Sequence, residues 1–277
     1  MSDDGAAAFV PGHVTGFFSV HRAADPRRAG SRGAGVTLSD GVTTRVEPAD
    51  ETTVRLNGRA LEMESVTRVL DALDASATVA AETDLPLGAG FGVSGAMALG
   101  TALAANHAFG RGRSENDLVG VAHAAEVAAG TGLGDVVAQA RGGIPIRVEP
   151  GAPEFGALDG VPTTGRVEYV SFGELSTSDV IGDETDVLDE AGERALVALH
   201  ERPTIPEFFA ASRRFAREAD LLDGEVAAAV DAVTDAGAEA TMAMLGRTVF
   251  ALDTGLTDAG YDAESCRIHP AGARLER

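Results

Sequence analysis

A glycine-rich run at residues 85–96, Leu-Pro-Leu-Gly-Ala-Gly-Phe-Gly-Val-Ser-Gly-Ala, is the feature that most constrains this chain. It joins a β-like stretch, Thr78 to Leu85, to an apolar stretch of helical character, Ala96 to Ala108. Alternate glycines remove side chains from a tight turn and let the backbone approach a bulky group. The first N–H groups of the following helix lack internal partners. Together these features predict an anion site, most simply one for phosphate.

The glycine spacing and the absence of lysine narrow the kind of phosphate site. The run reads G-x-G-x-G-x-S and lacks the third glycine of a dinucleotide fingerprint at its expected place. All 22 basic residues are arginine. P-loop proteins, protein kinases, and Schiff-base and pyridoxal enzymes each require a lysine. The sequence therefore excludes these classes, and it leaves a structural glycine turn before a core helix as the alternative to a phosphate site.

Three polar residues, one in this run and two later in the chain, have both a structural and a ligand-binding interpretation. Ser94 lies near the helix start, where it is either an N-cap or a ligand of a metal ion or phosphate. Glu126 falls on the apolar face of a helix predicted to begin at Ser114. Its carboxylate either pairs with a counter-charge, Mg²⁺ or arginine, or reaches solvent at the edge of that face. Asp135 lies between a glycine loop and another helix, and its position alone favours an ordinary N-cap.

Periodicity predicts a mixture of helices and strands in both halves of the chain. Hairpin turns are predicted at Ser39-Asp40-Gly41 and at Asn57-Gly58. A stretch rich in Pro and Gly at 149–161 suggests a domain boundary. Predicted helices cover 61–73, 96–108, 114–130, 190–199, 205–222 and 225–236, with a short one starting at 135. Predicted strands lie near 78–82, 144–148 and 167–172, and a loop rich in Asp, Ser and Thr covers 173–186.

The glycine-rich run resembles the second motif of the GHMP kinases, a superfamily of small-molecule kinases that use ATP. Residues 11–18, Pro-Gly-His-Val-Thr-Gly-Phe-Phe, and parts of 21–35 resemble the first motif, and residues 242–246, Met-Ala-Met-Leu-Gly, resemble the third. Many members have Pro-Gly-Lys where this chain has His13, and that departure favours the archaeal pantoate kinase branch. The resemblance implies an α+β fold of two domains. These are a ribosomal-protein-S5-like, ATP-binding N-terminal domain at 1–155 and an α/β C-terminal domain at 156–277.

The resemblance also implies an activity. ATP and Mg²⁺ would serve to phosphorylate the primary hydroxyl of pantoate, giving 4-phosphopantoate on the archaeal route to coenzyme A. A GHMP kinase for homoserine or mevalonate, and a non-catalytic nucleotide-binding protein of the same fold, are the alternatives. Asp135 is then the expected catalytic base, and Ser94 and Glu126 the expected Mg²⁺ ligands.

The binding residues are expected partly from the resemblance and partly from the chemistry of the side chains. Those expected to bind ATP are Pro86, Gly88, Ala89, Gly90, Phe91, Gly92, Val93, Ser94 and Gly95. Arg147 suits bidentate recognition of a carboxylate, and the expected substrate-binding residues are His13, Ser31, Arg32, His123 and Arg147. Surface arginines and a buried, hydrogen-bonded histidine are the structural alternatives for this second group.

Composition limits the expected partners. With 43 acidic and 22 basic residues the formal charge is −21, which repels nucleic acid and anionic membranes. A small-molecule substrate is therefore expected, with neither nucleic acid nor membrane as partner, and the resemblance makes a homodimer possible. The single cysteine, Cys266, excludes an intrachain disulfide.

The start of the chain and its charge suggest a cellular setting. The acidic start, Met1-Ser2-Asp3-Asp4, is unlike a signal peptide. No apolar stretch reaches the roughly 20 residues that span a bilayer. These features predict a cytoplasmic protein. An acidic, lysine-free surface is typical of a salt-rich cytoplasm, as in halophilic archaea, because salt screens self-repulsion; a GC-rich genome is the alternative cause of the missing lysines.

Overall fold

The computed structural model describes residues 5–173 and 185–276. Its strands are β1 (Ala6–His21), β2 (Gly30–Pro48), β3 (Thr53–Leu56), β4 (Arg59–Ala60), β5 (Ala77–Glu82), β6 (Ile144–Glu149), β7 (Ala157–Val161), β8 (Arg166–Ser171), β9 (Ala240–Ala243), β10 (Thr248–Leu252), β11 (Glu264–Arg267) and β12 (Arg274–Glu276). Its helices are α1 (Glu64–Ala72), α2 (Val93–Ala108), α3 (Glu115–Ala129), α4 (Asp135–Arg141), α5 (Asp186–Glu201), α6 (Ile205–Glu218), α7 (Gly224–Asp235) and α8 (Gly255–Asp258). No helix within these ranges has the length and apolar character that crossing a membrane requires.

The strands form one large and one small sheet. The large sheet has the order β12-β1-β2-β5-β3-β4, and β6 joins it by pairing with β2 on one edge and β7 on the other. The small sheet has the order β11-β8-β10-β9. Only β3 and β5 pair in parallel; every other pair between the strands defined above is antiparallel.

The strands β1 and β2 connect two hydrophobic cores. One core contains Val10 and packs the large sheet against α1, α2, α3 and α4. The other contains Val14 and Phe17 and packs against the small sheet, α5, α6 and α7. Strand β1 therefore passes from one core to the other between Val10 and Val14, and this crossing positions the site described below.

The hairpin predicted at Ser39-Asp40-Gly41 is wrong, because β2 continues through these residues. Its pairing with β1 shifts from Pro11 opposite Gly41 to Gly12 opposite Leu38, so two extra residues bulge out of the ladder. Long-range pairing with β1 on both sides of the bulge outweighs the local turn signal, and bulges are common beside functional sites.

The turn predicted at Asn57-Gly58 is confirmed. It connects β3 to β4 with φ values of 50° and 76°, the left-handed pair that a two-residue hairpin turn requires. The capping residue Ser114 is also confirmed, since its Oγ accepts a hydrogen bond of 3.3 Å from the Asp117 N–H at the start of α3.

Two helix starts differ from the prediction. Helix α1 begins at Glu64 rather than Leu61, because Met63 has extended backbone angles. Helix α2 begins three residues earlier than predicted, directly after Gly92. The predicted loop at 173–186 lies almost entirely outside the described residues. The domain boundary expected between 155 and 156 stays a prediction; β7, which follows it, pairs with β6 in the large sheet.

Candidate active site

A cleft of about 520 Å³ opens over the glycine-rich run. Most of the residues predicted to bind nucleotide line it: Pro86, Gly88, Gly90, Phe91, Gly92, Val93 and Ser94. The other two lie behind the cleft wall, because Ala89 is buried in a core and Gly95 packs against Gln139 of α4. The cleft also has an apolar part of its lining, which includes Leu56, Leu61, Met63 and Leu87.

The backbone of the run requires glycine at three positions that line the cleft. Gly88, Gly90 and Gly92 have φ values of +70°, +87° and +65°, in the left-handed region. A Cβ on Gly90 would also lie 2.7 Å from the Met244 carbonyl oxygen, so the run packs directly on the third motif. Gly92 precedes the first turn of α2, which therefore presents its free N–H groups toward the cleft.

Glu126 lies behind the cleft lining, where it is buried against the hydroxyl groups of Ser94 and Thr131, which do line the cleft. Ser94 Oγ donates to its Oε2 over 2.9 Å, and Thr131 Oγ1 donates to its Oε1 over 2.9 Å. The Glu126 side chain is on the buried face of α3, as the sequence predicts. Ser94 is thus a partner of Glu126 rather than the N-cap of α2.

No arginine or histidine pairs with Glu126 among the residues that the structure describes. Burial raises the pKa of Glu126, and hydroxyl groups that include those of Thr131 and Ser94 counteract part of this rise. A buried carboxyl group beside a hydroxyl is an oxygen donor set that suits Mg²⁺, which binds proteins through one or two carboxylates together with substrate phosphates. The residues therefore fit the ion expected here.

Asp135 begins α4 and has its side chain held from behind. His13 Nδ1 lies 2.7 Å from Asp135 Oδ1. Burial alone would raise the pKa of Asp135, but the hydrogen bond from His13 and the charge of Arg147 lower it below the usual value. Asp135 is therefore ionised at neutral pH and can accept a proton.

Arg147 is a buried cation with unsatisfied nitrogen atoms. Its side chain is 2% exposed, and its Nε and Nη1 have no hydrogen-bond partner in the described part of the chain. Burial lowers the pKa of Arg147 to about 10, against the opposing effect of Asp135, so it stays charged at neutral pH. Such a fork of unsatisfied N–H donors suits a carboxylate ligand.

A small recess of about 20 Å³ opens beside Arg147. Ser31, Arg147 and Asp135 contribute its polar surface, and Thr15, Phe18, Leu133, Gly134 and Leu245 complete it. A volume of this size holds one or two water molecules, so a carboxylate group fits there while the rest of a larger acid would extend into the cleft. Asp135 lines both the recess and the cleft.

Three predicted substrate ligands, which are His123, Arg32 and His13, line neither the cleft nor the recess. His123 is buried and its Nε2 is 2.8 Å from the Ala29 carbonyl oxygen, the arrangement of a hydrogen-bonded core histidine. Arg32 Nε donates to the Val148 carbonyl oxygen and its Nη1 pairs with Glu193 of α5 at 2.6 Å. His13 is fully buried behind Asp135. The geometry therefore brings together Ser94, Glu126, Asp135, Ser31 and Arg147.

Three residues of the site were not singled out from the sequence. Thr131 has a recognisable signal, a hydroxyl between two glycines five residues after Glu126. Gln139 follows Asp135 by one helical turn, and its Nε2 donates to the Gly92 carbonyl oxygen over 2.9 Å. Leu245, which lines both cavities, has an unfavourable φ of +65° that no sequence signal predicts.

A family model described as "GHMP kinases N terminal domain" matches residues 61–143, the segment that carries the glycine-rich run, Glu126 and Asp135. The fold and the site define a protein of this class. The chain is 37% identical over 265 residues to the pantoate kinase of Thermococcus kodakarensis, covering 88% of this chain and 86% of that protein. It is 30% identical over 251 residues to the pantoate kinase of Methanocaldococcus jannaschii, covering 88% and 91%.

A solved structure titled "Phosphotransferase related to CoA biosynthesis pathway" superposes with a TM-score of 0.88 at 32% identity, covering 98% of both chains. The expected α+β fold of the superfamily is thereby confirmed. The chain belongs to the pantoate kinases of the GHMP kinase superfamily.

Proposed function

We propose that this chain transfers the γ-phosphoryl group of ATP to the primary hydroxyl of pantoate, giving 4-phosphopantoate and ADP for coenzyme A biosynthesis in archaea. Family membership supports the reaction class. The observation that carries the proposal is the place of Asp135, which borders both the glycine-lined cleft and the recess that contains Arg147. A base in that position faces a phosphoryl donor on one side and a carboxylated acceptor on the other.

On the donor side, the triphosphate would lie along Gly88, Gly90 and Gly92 at the N-terminus of α2, where backbone N–H groups and the helix dipole favour anions. The apolar side chains of the cleft lining would contact the base, and two of them, Leu61 and Leu87, are partly open to solvent. Glu126 and Ser94 would hold Mg²⁺, which neutralises charge on the β- and γ-phosphates when bound.

On the acceptor side, Arg147 and Ser31 would bind the pantoate carboxylate in the recess. The primary hydroxyl would then lie at Asp135. The hydroxyl oxygen attacks the γ-phosphorus, the bond to the bridging oxygen of ADP breaks, and the hydroxyl proton passes to Asp135. Positioning supplies most of the rate, because loose phosphoryl-transfer transition states require little covalent chemistry from the protein.

Further parts of this proposal concern the setting of the enzyme. The composition supports a location in a salt-rich cytoplasm, as in a halophilic archaeon, and the family resemblance supports a homodimer. The substrate is a small molecule, and the acidic surface is unsuited to nucleic acid.

The test is ADP release in molar KCl with Mg²⁺ and ATP, comparing pantoate, homoserine and mevalonate as acceptors. Turnover with pantoate alone is the expected result. Turnover with homoserine or mevalonate instead would move the substrate assignment to another GHMP kinase. Tight ATP binding without turnover of any acceptor would favour a non-catalytic nucleotide-binding protein.

The substitution Asp135→Ala separates an enzyme from a binding protein. We expect turnover to fall about 10²- to 10⁴-fold, the usual contribution of a positioned general base. ATP affinity is expected to remain, because the glycine-rich run and Glu126 are unchanged. The measurements are kcat with pantoate and the Kd for ATP. Full turnover in this variant would contradict the mechanism even if pantoate were the substrate.

A further inference from the structure

His13 occupies the point where β1 passes between the two cores. Its neighbours Val10 and Val14 belong to different cores, and the bulge of β2 lies two residues beyond its partner, Thr37. The residue is fully buried. Its backbone N–H donates a 3.0 Å hydrogen bond to the carbonyl oxygen of Phe91 in the glycine-rich run. The backbone of His13 is thus fixed to the part of the site that faces phosphate.

The side chain of His13 is fixed to the other part of the site. Its Nδ1 lies 2.7 Å from Asp135 Oδ1. The ring packs so closely on β2 that a Cβ at Gly35 would lie 2.2 Å from Nε2. A larger residue at position 35 therefore has no room, and the contact of Nδ1 with Asp135 Oδ1 defines the orientation of the ring.

The surroundings of the ring define its protonation. Burial, with a smaller contribution from the charge of Arg147, lowers the pKa of His13 despite the opposing effect of Asp135, so the ring is neutral at pH 7. Its Nε2 has no hydrogen-bond partner in residues 5–173 and 185–276. A proton on Nε2 would be a buried donor without an acceptor, whereas a proton on Nδ1 points at the carboxylate of Asp135. The neutral ring therefore carries its proton on Nδ1 and donates it to Oδ1.

This hydrogen bond decides which carboxylate oxygen faces the substrate. With Oδ1 occupied by His13, Oδ2 remains to accept a proton from an acceptor hydroxyl. A second contact, one turn along α4, also holds this helix against the glycine-rich run: Gln139 donates to the Gly92 carbonyl oxygen over 2.9 Å. Helix α4 is therefore connected to the glycine-rich run at two points, through His13 to Phe91 and through Gln139 to Gly92.

We propose that His13 is a positioning residue, which fixes Asp135 Oδ2 relative to the glycine-rich run and does not contact the acceptor. The inference rests on the proposed function, because it assigns Asp135 to the acceptor hydroxyl. It replaces the expectation from the sequence that His13 binds substrate. A displacement of about 1 Å between reacting groups costs on the order of 10²-fold in rate, which is the size of effect that this contact controls.

The kinetic test compares His13→Asn, His13→Gln and His13→Ala. The amide nitrogen of asparagine occupies nearly the position of Nδ1, whereas that of glutamine reaches toward the position of Nε2. We expect His13→Ala and His13→Gln to lower kcat on the order of 10²-fold, by misplacing Asp135, with the KM values for pantoate and ATP unchanged. His13→Asn is expected to recover most of kcat. The exposed His200 provides the control, and His200→Ala should leave all three parameters unchanged.

A spectroscopic test is independent of the acceptor that the enzyme uses. The chain has only six histidines, so long-range ¹H–¹⁵N spectra can resolve each ring, and the spectrum of His13→Asn assigns the His13 signals. The expected state is the neutral Nδ1–H tautomer, with a shift in the ring signals of His13 in Asp135→Asn. The other five rings should be unaffected by that substitution.

The outcomes separate the inference from the proposed function. If the wild-type protein phosphorylates none of the three acceptors, the proposed function fails while the spectra still decide the state of His13. An Nε2–H tautomer, full kcat in His13→Ala, or a raised KM for pantoate with unchanged kcat would each overturn the positioning role. If His13→Ala does not fold, the Asn and Gln variants carry the comparison, because both retain an amide in the cavity.

Discussion

At the scale of single residues, Arg147 is expected to lower the stability of the ligand-free protein and to increase its affinity for the acceptor. An arginine buried without an ion-pair partner in the described chain is costly, because its charge is removed from water and two of its nitrogens are unsatisfied. We expect Arg147→Met to raise the KM for pantoate by at least about 30-fold, the equivalent of the roughly 2 kcal/mol lost with a buried charged partner. We also expect the ligand-free variant to melt at a higher temperature than the wild-type protein.

The measurements for Arg147→Met are steady-state kinetics and thermal melting without substrate. Arg267→Met removes an exposed arginine on the edge of the small sheet and should leave the KM unchanged. Arg147→Lys keeps the positive charge but lacks the planar guanidinium fork. Its KM for pantoate should therefore lie between those of the wild-type protein and Arg147→Met. An unchanged pantoate KM in Arg147→Met would remove Arg147 from the acceptor site.

Glu126 gives a second residue-scale prediction, in which the effect depends on pH. Burial raises the pKa of Glu126, so the folded state binds its proton more tightly than the unfolded chain does. That contribution to stability is fully present below the unfolded pKa of about 4.3 and is lost as pH rises through the raised folded value. At neutral pH the ionised carboxylate therefore destabilises the ligand-free protein, and Glu126→Gln relieves this effect.

We expect Glu126→Gln to melt about 2–4 °C higher than the wild type at pH 7 in EDTA for each kcal/mol relieved, and to show no advantage below about pH 4. With Mg²⁺ and ATP the order should reverse, because the amide cannot replace a carboxylate ligand of Mg²⁺. Glu115→Gln, at the exposed start of the same helix, is the matched control. A lower melting temperature for Glu126→Gln at pH 7 in EDTA would show that the carboxylate is stabilised by a partner other than Mg²⁺.

At the scale of elements, the third motif fixes the shape of the glycine-rich run. A Cβ on Gly246 would lie 2.1 Å from the Ala89 carbonyl oxygen, a distance that forces the run to move. We expect Gly246→Ala to lower kcat/KM for ATP on the order of 10²-fold by displacing the phosphate site. Gly224→Ala, at the start of α7 with no atom within 4 Å of the new Cβ, should leave ATP kinetics unchanged. Unchanged ATP kinetics in Gly246→Ala would show that the run adapts to the motif without loss.

The sequence correctly predicted helices, caps and turns that depend on neighbouring residues. The apolar period of α3, the Ser114 cap and the Asn57-Gly58 turn all agree with the structure, because each depends on residues within a few positions of one another. The turn at Ser39-Asp40-Gly41 was wrong because the deciding contact is with Pro11 and Gly12, far away in the chain. The return of β12 to pair with β1 had no local signal at all.

In the candidate site, too, the residues with local sequence signals were predicted and the long-range contacts were not. Motif resemblance identified Ser94, Glu126 and Asp135, which the fold brings together, and the chemistry of arginine suggested Arg147. The contacts behind them were not predictable, because they join distant segments: His13 with Asp135 across 122 positions and Gln139 with Gly92 across 47. Sequence spacing gives the type of group that a reaction needs, whereas the hydrogen bonds that hold the group in place depend on tertiary packing.

At the scale of the whole molecule, charge is the dominant property. The chain has 43 acidic and 22 basic residues. Arginines form ion pairs, such as those of Arg247 with Asp223 and Glu225, but there are too few of them to neutralise all the carboxylates. Like charges on a compact surface repel, and added salt weakens that repulsion, with the Debye length falling from about 10 Å at 0.1 M to about 3 Å at 1 M. The folded state should therefore gain more from salt than the expanded unfolded chain does.

We accordingly expect the melting temperature to rise by several degrees between about 0.1 M and about 1 M KCl, the range over which the Debye length shortens to contact distances. Sorbitol of equal osmolality is the control, because it is excluded from protein surfaces without screening charge. A larger rise in KCl than in sorbitol would assign the effect to screening. A melting temperature that does not change with KCl would contradict the salt adaptation, and would favour genome composition as the cause of an arginine-only, acidic chain.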